Sequence, residues 1–250
     1  MTGCMDVFSD EESAMPKPEK YNADQIYNTI ESEIVSLQIK PGEMLSENQM
    51  SERFDVSRTI IRSSLQRLAQ KGFVEIIPHV GTRVTAIDLE SVSNFIYLRV
   101  AVESRVLRDF IKVSTQSQIE ALRFRKNSFD EAVNSCHDRS ALSAEETDAM
   151  LKKDLTFHST YFQVMGKTII WDFLTQPHPN YSRFIRLDML GGRNLDDVLT
   201  EHERLMQAID DRNAEIIDGI ISEHLNGGIR RLGPTLYSGE YKDYIRGSST

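Results

Sequence analysis

The stretch Ser46–Lys71, SENQMSERFDVSRTIIRSSLQRLAQK, decides how the N-terminal part of this chain folds. Its opening serine and Gln49 have the spacing of a capping box, which predicts a short helix that ends near Phe54. Ser57 is a good N-cap for a second helix, and Gly72 follows that helix in the position of a C-cap. Two short helices separated by so few residues are typical of a helix-turn-helix.

The sequence on either side of this stretch completes a winged helix-turn-helix. Upstream, isoleucines recur at helical spacing from about Asn22, and Pro41-Gly42 closes that helix with a turn. Downstream, Phe73–Ile77 and Thr82–Ala86 are rich in β-forming residues and predict a hairpin. Residues 21–86 are therefore predicted to form three helices and a two-stranded wing.

The chain from residue 87 to residue 232 has a different character, with helical patterns throughout and no clear strand signal. The predicted helices are Leu89–Lys112, Ser117–His137, Ala144–Met165, Thr168–Leu174, Tyr181–Leu190, Leu195–Asp211 and Ala214–Arg231. The fold class is thus mostly α, a winged domain followed by an all-α bundle of six or seven helices. Residues 1–20, acidic and with two prolines, are predicted to be a disordered tail, and residues 233–250 a loose C-terminal tail.

Composition and charge exclude several classes of protein. The chain has 250 residues and no apolar stretch near the ~20 residues that a membrane span needs. Its N-terminus lacks the basic start and apolar centre of a secretory signal. Its two cysteines, Cys4 and Cys136, form no disulfide framework, so we expect a cytoplasmic protein without a membrane partner.

The second helix of the motif has the chemistry of a DNA-reading helix. The net charge of the chain is −9, yet Ser57–Lys71 contains four basic residues and no acid. Arg58, Thr59 and Arg62 lie on the face opposite its apolar residues, where such helices contact base edges. The predicted DNA-binding residues, including those of the wing, are Ser57, Arg58, Thr59, Arg62, His79, Gly81 and Arg83. A solvated basic face would explain the charge, but not the order of capped helix, turn, helix and hairpin.

This region resembles the DNA-binding domain of the GntR family. The residues that carry the resemblance are Ile39–Glu47, Phe54–Thr59, Arg62, Leu68, Gly72–Val74 and Gly81–Val84. The resemblance covers nearly all of residues 37–86 and implies that Arg58, Thr59, Arg62 and Gly81 contact operator DNA. The chain departs from the family pattern at Ile60-Ile61 and at Ser63, where an acid is usual, and we expect an altered half-site preference.

Four residues of the helical region have the spacing of a metal site. Asp154 and His158 are four residues apart and project from one face of a helix, while His202 and His224 lie on the last two predicted helices. Imidazole and carboxylate together suit a divalent transition metal such as Zn, Ni or Mn. Each histidine taken singly could instead be a capping or surface residue, and we assign His137 and His178 to that alternative; the role of Cys136 is left open.

Residues 88–232 resemble the all-α FCD domain, the ligand-binding domain of the FadR subfamily. The shared motifs are Arg99-x3-Glu103, Asp154-x3-His158, Glu201-His202 and His224-Leu225. The resemblance implies that Asp154, His158, His202 and His224 hold the metal. Arg99 is then the best candidate to bind an effector carboxylate bidentately, with a simple intrahelical pair to Glu103 as the alternative. Arg183 is a second candidate, and Arg186 lies on the same helix.

These features predict a ligand-responsive transcription regulator rather than an enzyme. We expect a homodimer on an inverted-repeat operator, with repression relieved when a small carboxylate, an organic or sugar acid, binds at the metal site. The alternatives are a metalloenzyme that uses metal-bound water, and a regulator of the same fold that senses the metal itself or binds an acyl-CoA-like ligand without metal.

Overall fold

A computed structural model describes residues 21–139, 142–190, 195–236 and 239–246, so the predicted tail at residues 1–20 lies outside it. The described chain is mostly α-helical, as predicted. It forms an N-terminal winged domain and a C-terminal helical domain. The elements of the first are α1 Ala23–Val35, β1 Met44–Leu45, α2 Glu47–Phe54, α3 Arg58–Gln70, β2 Val74–Ile77 and β3 Gly81–Val84.

The helices of the winged domain begin where the capping residues place them. Asn22 and Gln25 form a reciprocal capping box at α1. The Ser46 hydroxyl accepts a hydrogen bond from the backbone N–H of Gln49 at the start of α2. The helix ends at Asp55, whose left-handed backbone (φ 49°) turns the chain towards α3. The three helices pack around a shared core of Ile26, Ile30, Ile34, Phe54, Ile61, Leu65, Leu68 and Phe73.

The wing differs from the prediction by one strand. Strands β2 and β3 form the expected antiparallel hairpin, but β1 pairs with the other edge of β3 and makes a three-stranded sheet in the order β1-β3-β2. In this pairing Met44 lies opposite Arg83 and Leu45 opposite Thr82. A two-residue strand is too short to show an alternation of polar and apolar residues, so it can be identified only from its pairing with β3.

The C-terminal domain is a helical bundle, with seven helices in the described ranges. They are α4 Leu89–Val113, α5 Gln116–Ser135, α6 Ala144–Val164, α7 Thr168–Thr175, α8 Tyr181–Leu190, α9 Leu195–Asp210 and α10 Ile217–Leu232. Helix α10 begins three residues later than predicted, after a turn in which the Asn213 side chain accepts a hydrogen bond from the Glu215 N–H. The largest core cluster joins residues of all seven helices, α4 to α10.

The described part of the C-terminal segment is packed against the protein, whereas the sequence predicted a loose tail. Residues 233–236 and 239–244 form two 3₁₀ turns. Ile245 then pairs in parallel with Ile87, at the junction of the two domains, through hydrogen bonds on both sides of Ile87. Leu236 and Ile245 are buried in the core of the helical domain. Burial of these apolar side chains explains why the segment packs.

Helix α8 connects the two domains. The Arg183 guanidinium donates to the Thr85 carbonyl at 2.5 Å and to the Thr85 hydroxyl at 3.2 Å. One turn on, Arg186 Nε donates to the Ser36 carbonyl at the end of α1. Leu37, which follows in left-handed conformation (φ 61°), is buried in the core of the helical domain. The winged domain is therefore held to α8 by buried, charge-assisted contacts.

Candidate metal centre and nucleic-acid interface

The four predicted metal ligands meet in the interior of the helical domain. Asp154 and His158 come from α6, His202 from α9 and His224 from α10, and one ligand atom from each lies within 4.8 Å of all the others. His158 Nε2 is 3.1 Å from His224 Nε2. His202 Nε2 is 3.2 Å from Asp154 Oδ1. One carboxylate and three imidazoles therefore converge on a single point.

Two of the histidines are oriented by carboxylates behind them. His158 Nδ1 lies 2.9 Å from Glu103 Oε2, and His224 Nδ1 lies 2.9 Å from Glu201 Oε2. A carboxylate accepts hydrogen bonds, so this assigns the imidazole proton to Nδ1 in both rings and leaves both Nε2 atoms with lone pairs. Carboxylate–histidine pairs of this kind are typical of metal sites.

The resulting geometry fits a cation. Two Nε2 lone pairs that face each other at 3.1 Å repel unless a positive charge lies between them. His202 adds two buried ring nitrogens, neither of which makes a hydrogen bond in the described structure. Burial lowers the pKa of His202 to about 4, so the ring is neutral and able to ligate at neutral pH. The donor set of three imidazoles and one carboxylate suits a divalent transition metal.

Arg99 and Glu103 form a buried ion pair on α4 next to the cluster. Arg99 Nε donates to Glu103 Oε1 at 2.6 Å, and its Nη1 donates to the Tyr181 hydroxyl. Burial by itself would raise the pKa of Glu103. The adjacent Arg99 charge and the interactions with His158 and Tyr161 together outweigh burial and hold that pKa below its ordinary value. The predicted intrahelical pair is thus present, yet it leaves Arg99 Nη2 buried without a hydrogen-bond partner.

A cavity of about 60 Å³ adjoins the cluster and is bordered by Arg99, Asp154 and His224. It has room for a few water molecules or a small acid group, and not for an acyl-CoA. The Tyr181 ring also lines it. Arg183 does not, because its guanidinium bonds to Thr85 at the domain junction, so the structure does not bring the second effector candidate to this cavity.

Two tyrosines of the site were not predicted. The Tyr161 hydroxyl donates to Glu103 Oε2 at 2.7 Å and lies 2.9 Å from His158 Nδ1. Tyr161 is three residues beyond His158, on the same face of α6, and that spacing is a signal from which it could have been found. Tyr181, the partner of Arg99, is 82 residues away from it along the chain and has no such signal.

The predicted recognition face is exposed on α3. Arg58, Thr59 and Arg62 all point to solvent, and Arg62 is held bidentately by Glu47 of α2 at 2.8 and 3.0 Å. Ser57 is the N-cap residue, but its side chain makes no cap hydrogen bond. An exposed hydroxyl and free backbone N–H groups at a helix N-terminus are suited to a phosphate.

The three wing residues lie at or near the tip of the hairpin. His79 adopts a left-handed conformation (φ 62°), and Gly81 has a φ of 140° that L side chains rarely adopt. A Cβ at Gly81 would also lie only 3.1 Å from Met44 Cε, so glycine suits this position for two reasons. Arg83 lies further along β3, where its guanidinium pairs with Glu75 on the neighbouring strand at 2.8 Å.

The remaining polar candidates have structural positions. His178 Nδ1 accepts hydrogen bonds from the backbone N–H groups of Asn180 and Tyr181 at the start of α8, which agrees with a capping role. Burial, assisted by the Arg183 charge, lowers the pKa of His178. Cys136 ends α5 and its thiol faces the Ala132 carbonyl. In the described ranges, no helix combines the length and apolarity that a bilayer span requires.

Comparison with known proteins agrees with this two-domain arrangement. Residues 22–84 match the model of bacterial regulatory proteins of the gntR family, and residues 95–227 match that of the FCD domain. The chain is 27% identical over 203 residues to the HTH-type transcriptional repressor RspR of Escherichia coli K12, covering 80% of this chain and 84% of the relative.

Two further relatives extend the comparison. The gluconate operon transcriptional repressor of Bacillus subtilis is 24% identical over 198 residues, covering 77% of this chain and 76% of the relative. A solved structure of a GntR-type transcriptional regulator from Rhodococcus sp. RHA1 superposes with a TM-score of 0.63 at 20% identity, covering 85% of this chain and 98% of that one. At such an identity the superposition shows a shared fold.

Proposed function

Because the chain belongs to the GntR family of bacterial regulatory proteins and carries an FCD domain, we propose that it is a homodimeric repressor that leaves an inverted-repeat operator when a small carboxylate binds at its metal site. Transcription regulation, rather than catalysis, is the activity of the family and of the named relatives. The effector, the metal, the dimer and the operator symmetry are our proposal.

The observation that carries the proposal is the convergence of ligand atoms beside a free guanidinium nitrogen. His158 and His224 direct their Nε2 atoms at each other, and Arg99, which lines the adjoining cavity, has an Nη2 without a hydrogen-bond partner. A divalent metal bound there would offer open coordination positions to carboxylate oxygens. Arg99 would bind the same carboxylate through Nη2 and hold it in place.

The effector class follows from the size and polarity of this cavity. A volume of about 60 Å³ accepts an acid group and its nearest hydroxyl or carboxyl substituents, but not a long acyl chain. Organic and sugar acids fit that description. The similarity to the gluconate operon repressor, at 24% identity, supports gluconate as the first acid to test.

DNA recognition is assigned to α3 and the wing. Arg62 is assigned to a base, because Glu47 binds its Nε and Nη2 and leaves the Nη1–Nη2 edge of the guanidinium for two hydrogen bonds to a guanine. Arg58, Thr59 and Ser57 lie at the N-terminal end of the same helix and are assigned to bases and phosphates. His79, Gly81 and Arg83 are assigned to the backbone or minor groove.

The dimer surface is assigned to exposed apolar side chains on α4 and α7. Tyr97 on α4 is 78% exposed, and Ile169 and Phe173 on α7 are 85% and 64% exposed. Ile169 and Phe173 are four residues apart and share one face of α7, and neighbouring exposed apolar side chains typically mark an interface. Ile169→Asp is expected to shift the protein from dimer to monomer in sedimentation velocity. Phe124→Asp, at a position of α5 that is 66% exposed, should not.

One experiment tests the function as a whole. Protein purified without chelator should contain about one metal per chain, and gluconate should weaken operator binding, measured by fluorescence anisotropy, only in the metal-loaded protein. His202→Ala should lose the metal and the gluconate response while keeping operator affinity in the absence of effector. Full metal content in His202→Ala, or an unchanged response in that variant, would contradict the proposed site.

A further inference from the structure

A second cleft, which the proposed function does not use, lies where the two domains meet. Its volume is about 490 Å³, far larger than the cavity beside the metal ligands. Val35, at the end of α1, forms its border with the winged domain, and residues of α6, α7 and α8 form the rest. Those that matter for the argument are Lys152, Leu155, Trp171, Ile185 and Arg186.

Arg186 is a buried cation with an unused donor in the wall of this cleft. Its side chain is only 3% exposed. Nε donates to the Ser36 carbonyl at 2.9 Å and Nη1 to Asp148 Oδ1 at 2.6 Å, whereas Nη2 has no hydrogen-bond partner. A buried donor without a partner costs free energy that an anionic ligand would recover. Lys152 lines the same cleft, which therefore carries two cations against the single carboxylate of Asp148.

The other side of the cleft is lined by apolar side chains. Trp171, the only tryptophan of the chain, lines it together with Leu155 and Ile185. The indole ring is parallel to the His158 ring, with centroids 6.4 Å apart, so it also borders the metal ligands. Leu155 and Ile185 line both the cleft and the smaller cavity, which makes them a shared wall. A fixed cation beside an aromatic wall is the usual composition of a site for an organic acid.

We propose that this cleft is a second ligand site, which binds an aryl-substituted carboxylate with its acid group on Arg186 Nη2 and Lys152 and its ring against Trp171. A ligand in this position would contact Val35 of the winged domain and Arg186 of α8, whose Nε donates to the Ser36 carbonyl. It would therefore link the two domains. Its effect on operator affinity rests on the proposed function, whereas the binding itself does not.

The first test measures binding to the full chain by calorimetry, with 3-phenylpropionate as the probe. Saturable binding is expected, together with a change in the fluorescence of Trp171, the single reporter in the chain. Acetate, which lacks the ring, and 3-phenylpropan-1-ol, which lacks the charge, should each bind about tenfold more weakly or worse. Absence of saturable binding by 3-phenylpropionate up to about 5 mM overturns the proposal.

Variants locate the bound probe. Lys152→Glu should weaken binding about tenfold, and the matched control Lys153→Glu should not, because Lys153 faces away and donates to Ser128. Arg186→Gln should abolish binding while circular dichroism confirms its fold. His202→Ala should bind the probe as the parent does. Loss of binding in His202→Ala with retention in Lys152→Glu would place the probe at the metal ligands and overturn the proposal.

Measurements of operator affinity distinguish the effect of this cleft from that of the metal site. If the probe alters operator affinity in His202→Ala but not in Lys152→Glu, the cleft acts on DNA binding independently of the metal site. If the probe binds as described and operator affinity does not change in any variant, the regulatory consequence is wrong and the ligand site is supported.

Discussion

Replacing the two carboxylates behind the histidines, one at a time, tests the interpretation of the metal centre. Glu103→Gln and Glu201→Gln remove the negative charges that face His158 Nδ1 and His224 Nδ1, each at 2.9 Å. Both substitutions keep the size of the side chain. Loss of such a carboxylate typically lowers metal affinity 10–100-fold, which corresponds to about 1.4–2.8 kcal/mol. We expect this loss of Zn²⁺ affinity in both variants.

The two variants should differ in stability. Glu103 neutralises Arg99, and both are buried; within the described residues Arg99 has no second carboxylate partner. Glu103→Gln leaves a buried guanidinium uncompensated, which typically costs about 3–5 kcal/mol of unfolding free energy. Glu201 lies 3.5 Å from Arg231, but Arg231 keeps Asp188 at 2.8 Å when the Glu201 charge is removed. Glu201→Gln should therefore cost less than about 1 kcal/mol.

The assays are Zn²⁺ titration against a competing chelator, and urea unfolding of the metal-free protein. Metal-free protein is needed because a bound metal adds its own binding free energy to stability. If Glu201→Gln binds Zn²⁺ as tightly as the parent, the Nδ1 protonation assigned to His224 is wrong. If Glu103→Gln is no less stable than Glu201→Gln, Arg99 is not an uncompensated buried charge in the variant, and the reasoning on the ion pair fails.

Three further predictions concern other parts of the molecule. Arg62→Ala should weaken operator binding by about 1–3 kcal/mol in fluorescence anisotropy, and Arg53→Ala, an exposed arginine of α2, should not; equal effects would refute base reading by Arg62. The pKa of His178 is lowered from 6.5 in the folded protein, so as the pH falls the unfolded chain binds the proton before the folded protein does. The stability that His178 confers is therefore present above about pH 6.5 and is lost as the pH falls below that value. His178→Gln should flatten the dependence of unfolding free energy on pH in this range, as measured by urea unfolding at a series of pH values. Ile245→Ala should lower the unfolding free energy by about 2–5 kcal/mol in urea; an unchanged midpoint would mean that the C-terminal segment does not pack.

The secondary structure was largely predictable because its signals are local. Helix α8 matches its predicted bounds, and the other long helices differ by only a few residues at their ends. Capping residues such as Ser46 and Asn22 bond within the first turn of their own helix, so they can be recognised from the local sequence. Strand β1 and the pairing of Ile245 with Ile87 were missed because each depends on a partner distant in sequence.

The candidate metal site was likewise predictable only where its residues lie on one helix. The i, i+4 spacing of Asp154 and His158 placed two ligands on one face of α6, a property of any helix. The meeting of that face with His202 and His224 was implied only by resemblance, and the packing of α6, α9 and α10 produces it. Arg99 was preferred to Arg183 only through the resemblance of Arg99-x3-Glu103 to the family motif, since both residues are arginines on amphipathic helices.

The sequence by itself determined which segments are helical, which faces are apolar, and which helix carries a basic face without acids, because these follow from periodicity and charge along a single element. Only the tertiary structure decided that Arg99 meets Tyr181 beside the cluster while Arg183 ties α8 to Thr85. It also placed Arg186 in the wall of a cleft between the domains. The physical reason is that the partner of a buried charge is chosen by packing between elements, and that choice leaves no trace in the spacing of either element.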